Sequence, residues 1–289
     1  MYILAGDIGG TKTQLGVFKY QGKLLSVKEQ RFNSNEYSSL TLAVEKFLKN
    51  ESFKIERACF GIAGPVRDGK CKTTNLPWTV SAKEISELNS INQVYLINDL
   101  EANAHGIQCL SPYDFYVLNE GVPGQKGNAA LISAGTGLGQ AGLYWDGSKY
   151  HPIACEGGHC DFAPRCEKEV ALFKYLKKRY DHVSYERVVS GPGIYNIYQF
   201  LVDTKIEKKV AELENDLKKS LAPQNIISEK GSTNEVELYG RVLDCFASIY
   251  GAEAGNLALK YFALSGVYLG GGIAPAIIQK LKEGPFMKA

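Results

Sequence analysis

The sequence predicts a two-domain α/β protein with a ligand cleft between its domains. Three observations carry that reading. The 289 residues are enough for two separate cores. A strand, a glycine-rich turn and a second strand open the chain at Tyr2–Tyr20, and the same unit recurs at Asn128–Trp145. Between and after these units, strand-sized apolar runs alternate with segments of helical period. The expected boundary lies at Ser111–Pro112, giving domains 1–111 and 112–289, with a second Gly/Pro-rich break at Gly121–Gly127.

In chain order, Tyr2–Leu4 is an apolar strand, and "AGDIGGTKT" (Ala5–Thr13) is the turn that leads to a partner strand at Gln14–Tyr20. Gly9 and Gly10 permit positive φ and leave room for an anion at the peptide N–H groups; Thr11 and Thr13 offer hydroxyls and Lys12 a charge. Taken alone the stretch reads equally as a glycine hairpin with a solvated Asp7. Lys23–Phe32 is a third strand. Leu40, Ala43, Val44, Phe47 and Leu48 make Ser38–Lys49 a helix. Arg57–Val66 is a strand stopped by "AGPV", and Ser81–Leu88 a helix with Ser81 as N-cap and Glu84 completing a capping box. Gln93–Ile97 is a buried strand ending at Asn98–Asp99, followed by a helix over Glu101–Leu110.

In the second domain, Asn128–Ser133 is a strand, "AGTGLG" (Ala134–Gly139) the turn, and Gln140–Trp145 and Lys149–Ala154 further strands. Helices are expected at Glu167–Arg179, Tyr195–Val202, the charged Lys205–Ser220, and Asn234–Phe262, the last with a kink at Gly255–Asn256. Ser265–Leu269 is a strand that "GGGIAP" turns into a final helix.

Composition narrows the function. Hydrophobic content of 45%, charged content of 22% and a net charge of +2 give no broad nucleic-acid or membrane footprint. The longest apolar runs are strand-sized, and Met1 leads straight into a strand, so neither a spanning helix nor a signal peptide is expected. Seven cysteines, an odd number, suit reduced thiols in a cytoplasm, with a homodimer left open.

Two places stand out for chemistry besides the glycine turns. Asn98–Asp99 end a buried strand, where α/β folds place ligands. Asp99 is either the cap of the next helix or a carboxylate able to take a proton from an attacking alcohol. "EGGHCD" (Glu156–Asp161) gathers acids around His159. The spacings of Cys155, Cys160 and Cys166 lack the paired C-x2-C of structural zinc, so free thiols are the better reading. Glu156 and His159 suit a polyhydroxylated ligand, and Glu186 in "SYERVVSGPG" is a third acid with no local signal of its own.

The stretches "GDIGGTKT", "GIAGPV", "LINDLEANAHGI", "AGTGLG", "EGGHCDFAP", "ERVVSGPGIYNIY" and "GNLALKYFALSGVYLGGGIAP" together resemble the bacterial-type glucokinases of the hexokinase/actin-like superfamily that lack the zinc motif. The resemblance implies a two-domain actin-like, ribonuclease-H-like fold and ATP-dependent phosphorylation of glucose at its 6-hydroxyl. It implies Asp99 as general base, and Asn98, Asp99, Glu156, His159 and Glu186 as glucose ligands. Gly6, Asp7, Ile8, Gly9, Gly10 and Thr11 match the first phosphate loop and Gly135, Thr136 and Gly137 the second, while Gly270, Gly271 and Gly272 lie by the adenosine. Asp7 would hold Mg²⁺ through water. Family members usually continue past the GGG turn with another strand and a C-terminal helix, whereas this sequence stops soon after at "EGPFMKA", being either trimmed or without that closing helix, and Lys12 stands where some carry a small polar residue. Two other functions share the scaffold: a kinase for another hexose or an amino sugar, and a non-catalytic sugar or nucleotide sensor. The second is disfavoured because Asp99 is present and no helix-turn-helix precedes the first strand.

Overall fold

A computed structural model describes residues 1–289 except 74, 75, 123, 209, 210 and 283, and the side chains of 211–214. The expected break at Gly121–Gly127 and helix at Lys205–Ser220 therefore fall partly outside the described residues. The chain forms two compact units, Met1–Ile107 and Gln108–Ala289.

In the first unit β1 (Tyr2–Ile8), β2 (Lys12–Tyr20), β3 (Leu24–Asn33), β4 (Ile55–Ile62) and, after three short strands β5 (Val66–Arg67), β6 (Lys70–Lys72) and β7 (Thr79–Ser81), β8 (Gln93–Asn98) build the frame. The five long strands form one sheet in the order β3-β2-β1-β4-β8, with β1, β4 and β8 parallel. Alternation makes the strands: Leu4 and Ile8 of β1 and Leu15 and Val17 of β2 are buried with Phe60 and Ile62 of β4. Helix α1 (Leu40–Leu48) buries Leu40, Ala43, Val44 and Phe47, and the Ser39 hydroxyl accepts from Leu42 N–H at its start. In α2 (Ala82–Asn89) Ser81 is the N-cap as expected. The Glu84 carboxylate accepts from the Thr41 hydroxyl at 3.1 Å. Helix α3 spans Asp99–Ile107.

The second unit repeats that frame. Strands β9 (Ala129–Ala134), β10 (Leu138–Trp145), β11 (Tyr150–Cys155) and β12 (Val267–Gly270) take the order β11-β10-β9-β12, matching β3-β2-β1-β4 strand for strand. In both, an antiparallel hairpin carries the glycine turn and a parallel neighbour joins its first strand. Helices α4 (Glu167–Lys177), α5 (Gly191–Asp203), α6 (Ala211–Lys219), α7 (Pro223–Ser232), α8 (Glu237–Tyr261), α9 (Ile273–Ala276), α10 (Ile278–Lys282) and α11 (Pro285–Lys288) complete it. The sheet and α5, α7 and α8 share one core through Ile132, Ile197, Ile227 and Phe246.

Several expectations need correcting. Strand β1 runs on through Asp7 to Ile8, so Asp7 belongs to the strand end, paired with Gln14, and not to the turn. Helix α3 begins two residues earlier than Glu101 and α5 four residues earlier than Tyr195, where Ser190 caps it. Helix α8 begins at Glu237, three residues later than Asn234, and runs through Gly255 and Asn256 to Tyr261. Among the described residues no helix is long and apolar enough to cross a membrane, and none of the seven cysteines is in a disulfide.

Candidate active site

The first glycine turn is built from inside. Gly9 N–H donates to Lys12 C=O at 3.0 Å, closing the hairpin. Neither Gly9 nor Gly10 adopts left-handed φ, contrary to expectation. What glycine supplies at position 9 is clearance, since a Cβ there would lie 3.1 Å from the Lys12 carbonyl oxygen. Ser34, beyond β3, braces the loop: its N–H donates to Thr11 C=O and its hydroxyl to Gly9 C=O, at 3.0 and 2.9 Å. Thr13 is fully buried and its hydroxyl pairs with that of Ser34 at 2.9 Å. It is therefore a structural group rather than a phosphate donor; Thr11 and Lys12 remain exposed.

Beside this turn, the carboxyl ends of β1, β4 and β8 bring Asp7, Gly61 and Asn98 to one sheet edge. Asn98, not Asp99, caps α3. Its Oδ1 accepts from Leu100 N–H at 2.9 Å and Glu101 N–H at 3.4 Å, while Glu101 Oε2 accepts from Asn98 N–H, a reciprocal cap. The Asn98 side chain is buried, and its Nδ2 donates to Gly64 C=O at 3.4 Å. Asp99 stands half-buried in the first turn, where its Oδ1 shares Leu100 N–H with Asn98 at 2.9 Å. Burial holds its carboxyl above the ordinary range, and the nearby Asp7 charge raises it further against hydrogen bonds from Leu100 N–H and the Asn98 amide. Partial desolvation likewise raises Asp7, though it is exposed, and Arg31, in register across β2 through Gln14, pulls it back. Gly61 makes the arrangement possible: a Cβ there would lie 2.9 Å from Ala102 Cβ in α3.

In the second unit the matching turn is tied to Glu186. Leu138 N–H donates to Glu186 Oε2 at 2.9 Å, and a Cβ on Gly137 would lie 2.6 Å from the same oxygen. Gly191 N–H, at the start of α5, donates to Gly135 C=O at 2.8 Å. The Gly270–Gly272 turn packs on the same sheet edge. Gly271, at φ +81°, has Ala134 O where a Cβ would be, 2.2 Å away. Gly135 and Gly272 differ: a Cβ on either would meet no protein atom within 4 Å. Their lack of a side chain leaves open space, which is what a ligand approaching backbone requires.

Glu156 and His159 flank a tight turn closed by His159 N–H to Glu156 C=O at 3.0 Å. Both glycines inside it are forced, since a Cβ on Gly157 would fall 1.9 Å from Gln140 Oε1 and one on Gly158 1.9 Å from Leu138 O. The turn therefore lies directly on β10, whose first residue holds Glu186. A second tie runs from Tyr185 N–H to Cys160 C=O at 3.0 Å. Glu156, His159 and Glu186 are thus gathered around one strand end, with the glycine turn beside them.

Sequence reasoning missed Ser34 and Arg31, which have no local signature. It also missed the cap made by Asn98, although the Asn98-x-x-Glu101 spacing carries that signal.

The two four-strand frames, each with a glycine turn at the strand ends, are those of the actin-like α/β fold. The solved glucokinase of an Antarctic psychrotroph has this fold, with a TM-score of 0.81 and 31% identity over 99% of this chain and 88% of that one. A glucokinase from Balamuthia mandrillaris, solved in complex with glucose, shares the fold at a TM-score of 0.76 and 21% identity, over 97% and 82% of the two chains. A sequence model of the glucokinase family matches residues 4–289, and the glucokinase of Trichormus variabilis is 38% identical over 301 aligned positions, covering 99% of this chain and 88% of the relative. The chain belongs to the glucokinase family.

Proposed function

We propose that this chain transfers the γ-phosphoryl group of ATP to the 6-hydroxyl of D-glucose, with Asp99 as the general base. The observation that carries the proposal is the seat of Asp99. It is a half-buried carboxylate in the first turn of α3, beside the cap that Asn98 makes, and burial raises its pKa above the ordinary carboxylate value, which strengthens it as a proton acceptor. As the sugar oxygen attacks phosphorus, Asp99 takes its proton. Glu156, His159 and Glu186 accept from and donate to the sugar hydroxyls, and Asn98, whose Nδ2 hydrogens engage Gly64 C=O and Asp99, exchanges one of those partners for another hydroxyl. The backbone of Gly6, Ile8, Gly9, Gly10 and Thr11 and of Gly135, Thr136 and Gly137 receives the phosphates, and Gly270, Gly271 and Gly272 let the nucleoside approach closely. The names of the relatives support glucose as the sugar, and the space beside Gly135 and Gly272 supports a nucleotide.

Mg²⁺ fits the donor set. Among the described residues no three metal-binding side chains cluster, and an exposed strand-end carboxylate such as Asp7 suits a cation that keeps most of its water and leans on phosphates. Asp7 would hold it, through water, and the ion would neutralise phosphate charge.

The test is coupled ADP release with glucose, mannose, fructose and N-acetylglucosamine. Glucose turnover is expected, and Asp99→Ala should lower kcat by about 10²–10⁴-fold with glucose binding still measurable by calorimetry. A near-normal rate in Asp99→Ala removes Asp99 as base. Absence of turnover with every sugar favours the sensor.

A further inference from the structure

Residues Leu238, Val242, Phe246, Ile249 and Leu257 form the inner stripe of α8, and Glu253 occupies the one-turn step between the last two. Its side chain is 0% exposed. A carboxylate in such a place is strongly unfavourable unless hydrogen bonds satisfy it. Here they do. Glu253 Oε1 accepts from Gln140 Nε2 at 2.8 Å and Oε2 from Asn256 Nδ2 at 2.9 Å. The Tyr185 hydroxyl accepts from Asn256 Nδ2 at 3.1 Å and donates to the same carboxylate. Lys260 Nζ stands 4.0 Å from Oε1.

This network reaches both segments that carry the candidate sugar residues. Glu253 can only accept, so it forces Gln140 to present its NH₂ inwards and its Oε1 towards Gly157. Gly157 lies between Glu156 and His159. Tyr185 precedes Glu186, and its backbone N–H holds Cys160, the residue after His159. We propose that Glu253 is a positioning residue for the hexose: by fixing the Gln140 amide and the Tyr185 hydroxyl, it sets the placement of Glu156, His159 and Glu186. The inference rests on the reading of those three as sugar ligands.

Glu253→Gln keeps the shape but adds a donor, which allows the Gln140 amide to flip and turn its NH₂ against Gly157. The expected result is a hexose KM raised about tenfold or more, with kcat and ATP KM held within about twofold. The exchange Gln140→Glu with Glu253→Gln reverses donor and acceptor, returns a carboxylate oxygen to Gly157, and should recover most of the hexose KM. Tyr185→Phe keeps the ring packed on Phe162 and removes only the hydroxyl, so it reads the same network if Glu253→Gln does not fold; a smaller rise is expected. Glu156→Gln is measured alongside. If Glu156→Gln leaves the hexose KM unchanged, the sugar-site reading fails and this inference with it. If Glu156→Gln raises KM but Glu253→Gln and Tyr185→Phe only lower the melting temperature, or the exchange recovers nothing, Glu253 is structural alone and the inference is overturned.

Discussion

Alanine substitutions at two glycines of one turn, Gly135 and Gly137, should separate protein packing from ligand space. In Gly137→Ala the new methyl would lie 2.6 Å from Glu186 Oε2 and 3.4 Å from its Cδ, so the carboxylate must swing away. It then gives up Leu138 N–H, a 2.9 Å bond at a residue only 5% exposed. An unsatisfied buried donor costs about 1–3 kcal/mol, and a protein of this size loses about 2–4 °C per kcal/mol, so melting should fall by about 2–12 °C. If Glu186 binds the sugar, its loss from that position removes a charge-assisted hydrogen bond of about 1.5–3 kcal/mol, raising the glucose KM at least about tenfold. In Gly135→Ala the methyl meets no protein atom within 4 Å, so melting should hold or rise slightly while the ATP KM climbs. Coupled ADP release with glucose and ATP varied separately, together with calorimetric melting, reads all four quantities. Wild-type melting and glucose KM in Gly137→Ala would mean that Leu138 does not hold Glu186. A wild-type ATP KM in Gly135→Ala takes that turn out of the nucleotide site.

Asp99→Asn should lower kcat by about 10²–10⁴-fold yet stabilise the fold at neutral pH. The folded pKa lies above the ordinary 3.8, so the stability linked to protonated Asp99 is complete below that value and is lost as pH rises through the folded one. Asparagine escapes the loss, and its melting advantage at pH 7 should close as pH falls towards 3.8; an advantage that does not change with pH contradicts a charge origin. Asn98→Ala strips the cap from Leu100 and Glu101 and should cost about 0.5–2 kcal/mol in denaturant unfolding, whereas Asn98→Ser, which also lacks the amide but keeps a capping oxygen, should lose less. Equal losses in the two would deny the cap. Gly255→Ala, inside α8 with no atom within 4 Å of the added Cβ, should gain about 0.5–1 kcal/mol, and a loss would reveal a close contact there.

Where the fold was legible, the signal was local. Alternating apolar residues around "AGDIGGTKT" and "AGTGLG" specify two hairpins, and Ser81 announces its helix by a hydroxyl placed before it. Helix α7 escaped notice because "PQNIISEKGS" has weak helical propensity. It is held instead by tertiary packing, with Ile227 buried and Gly231 so close to α8 that a Cβ would lie 2.7 Å from Tyr239 O. Strands β5 to β7 are two or three residues long and give no period to read. The candidate site followed the same division. Asp99 and the glycine turns were visible, but the partner of Thr13 lies 21 residues away and that of Leu138 N–H lies 48 away. Such pairings depend on topology, which no short window contains.

The bracing of the first hairpin by Ser34 has a thermodynamic consequence. With the Gly9 and Thr11 carbonyls and the Thr13 hydroxyl all engaged by one buried serine, the loop holds its shape without an anion to fold around. If that loop takes a phosphate as proposed, the phosphate would meet a braced receptor and impose little ordering entropy on the chain, so more of the contact energy would appear as affinity. Loosening Ser34 would make the same loop induced-fit, with weaker and slower capture of the phosphate.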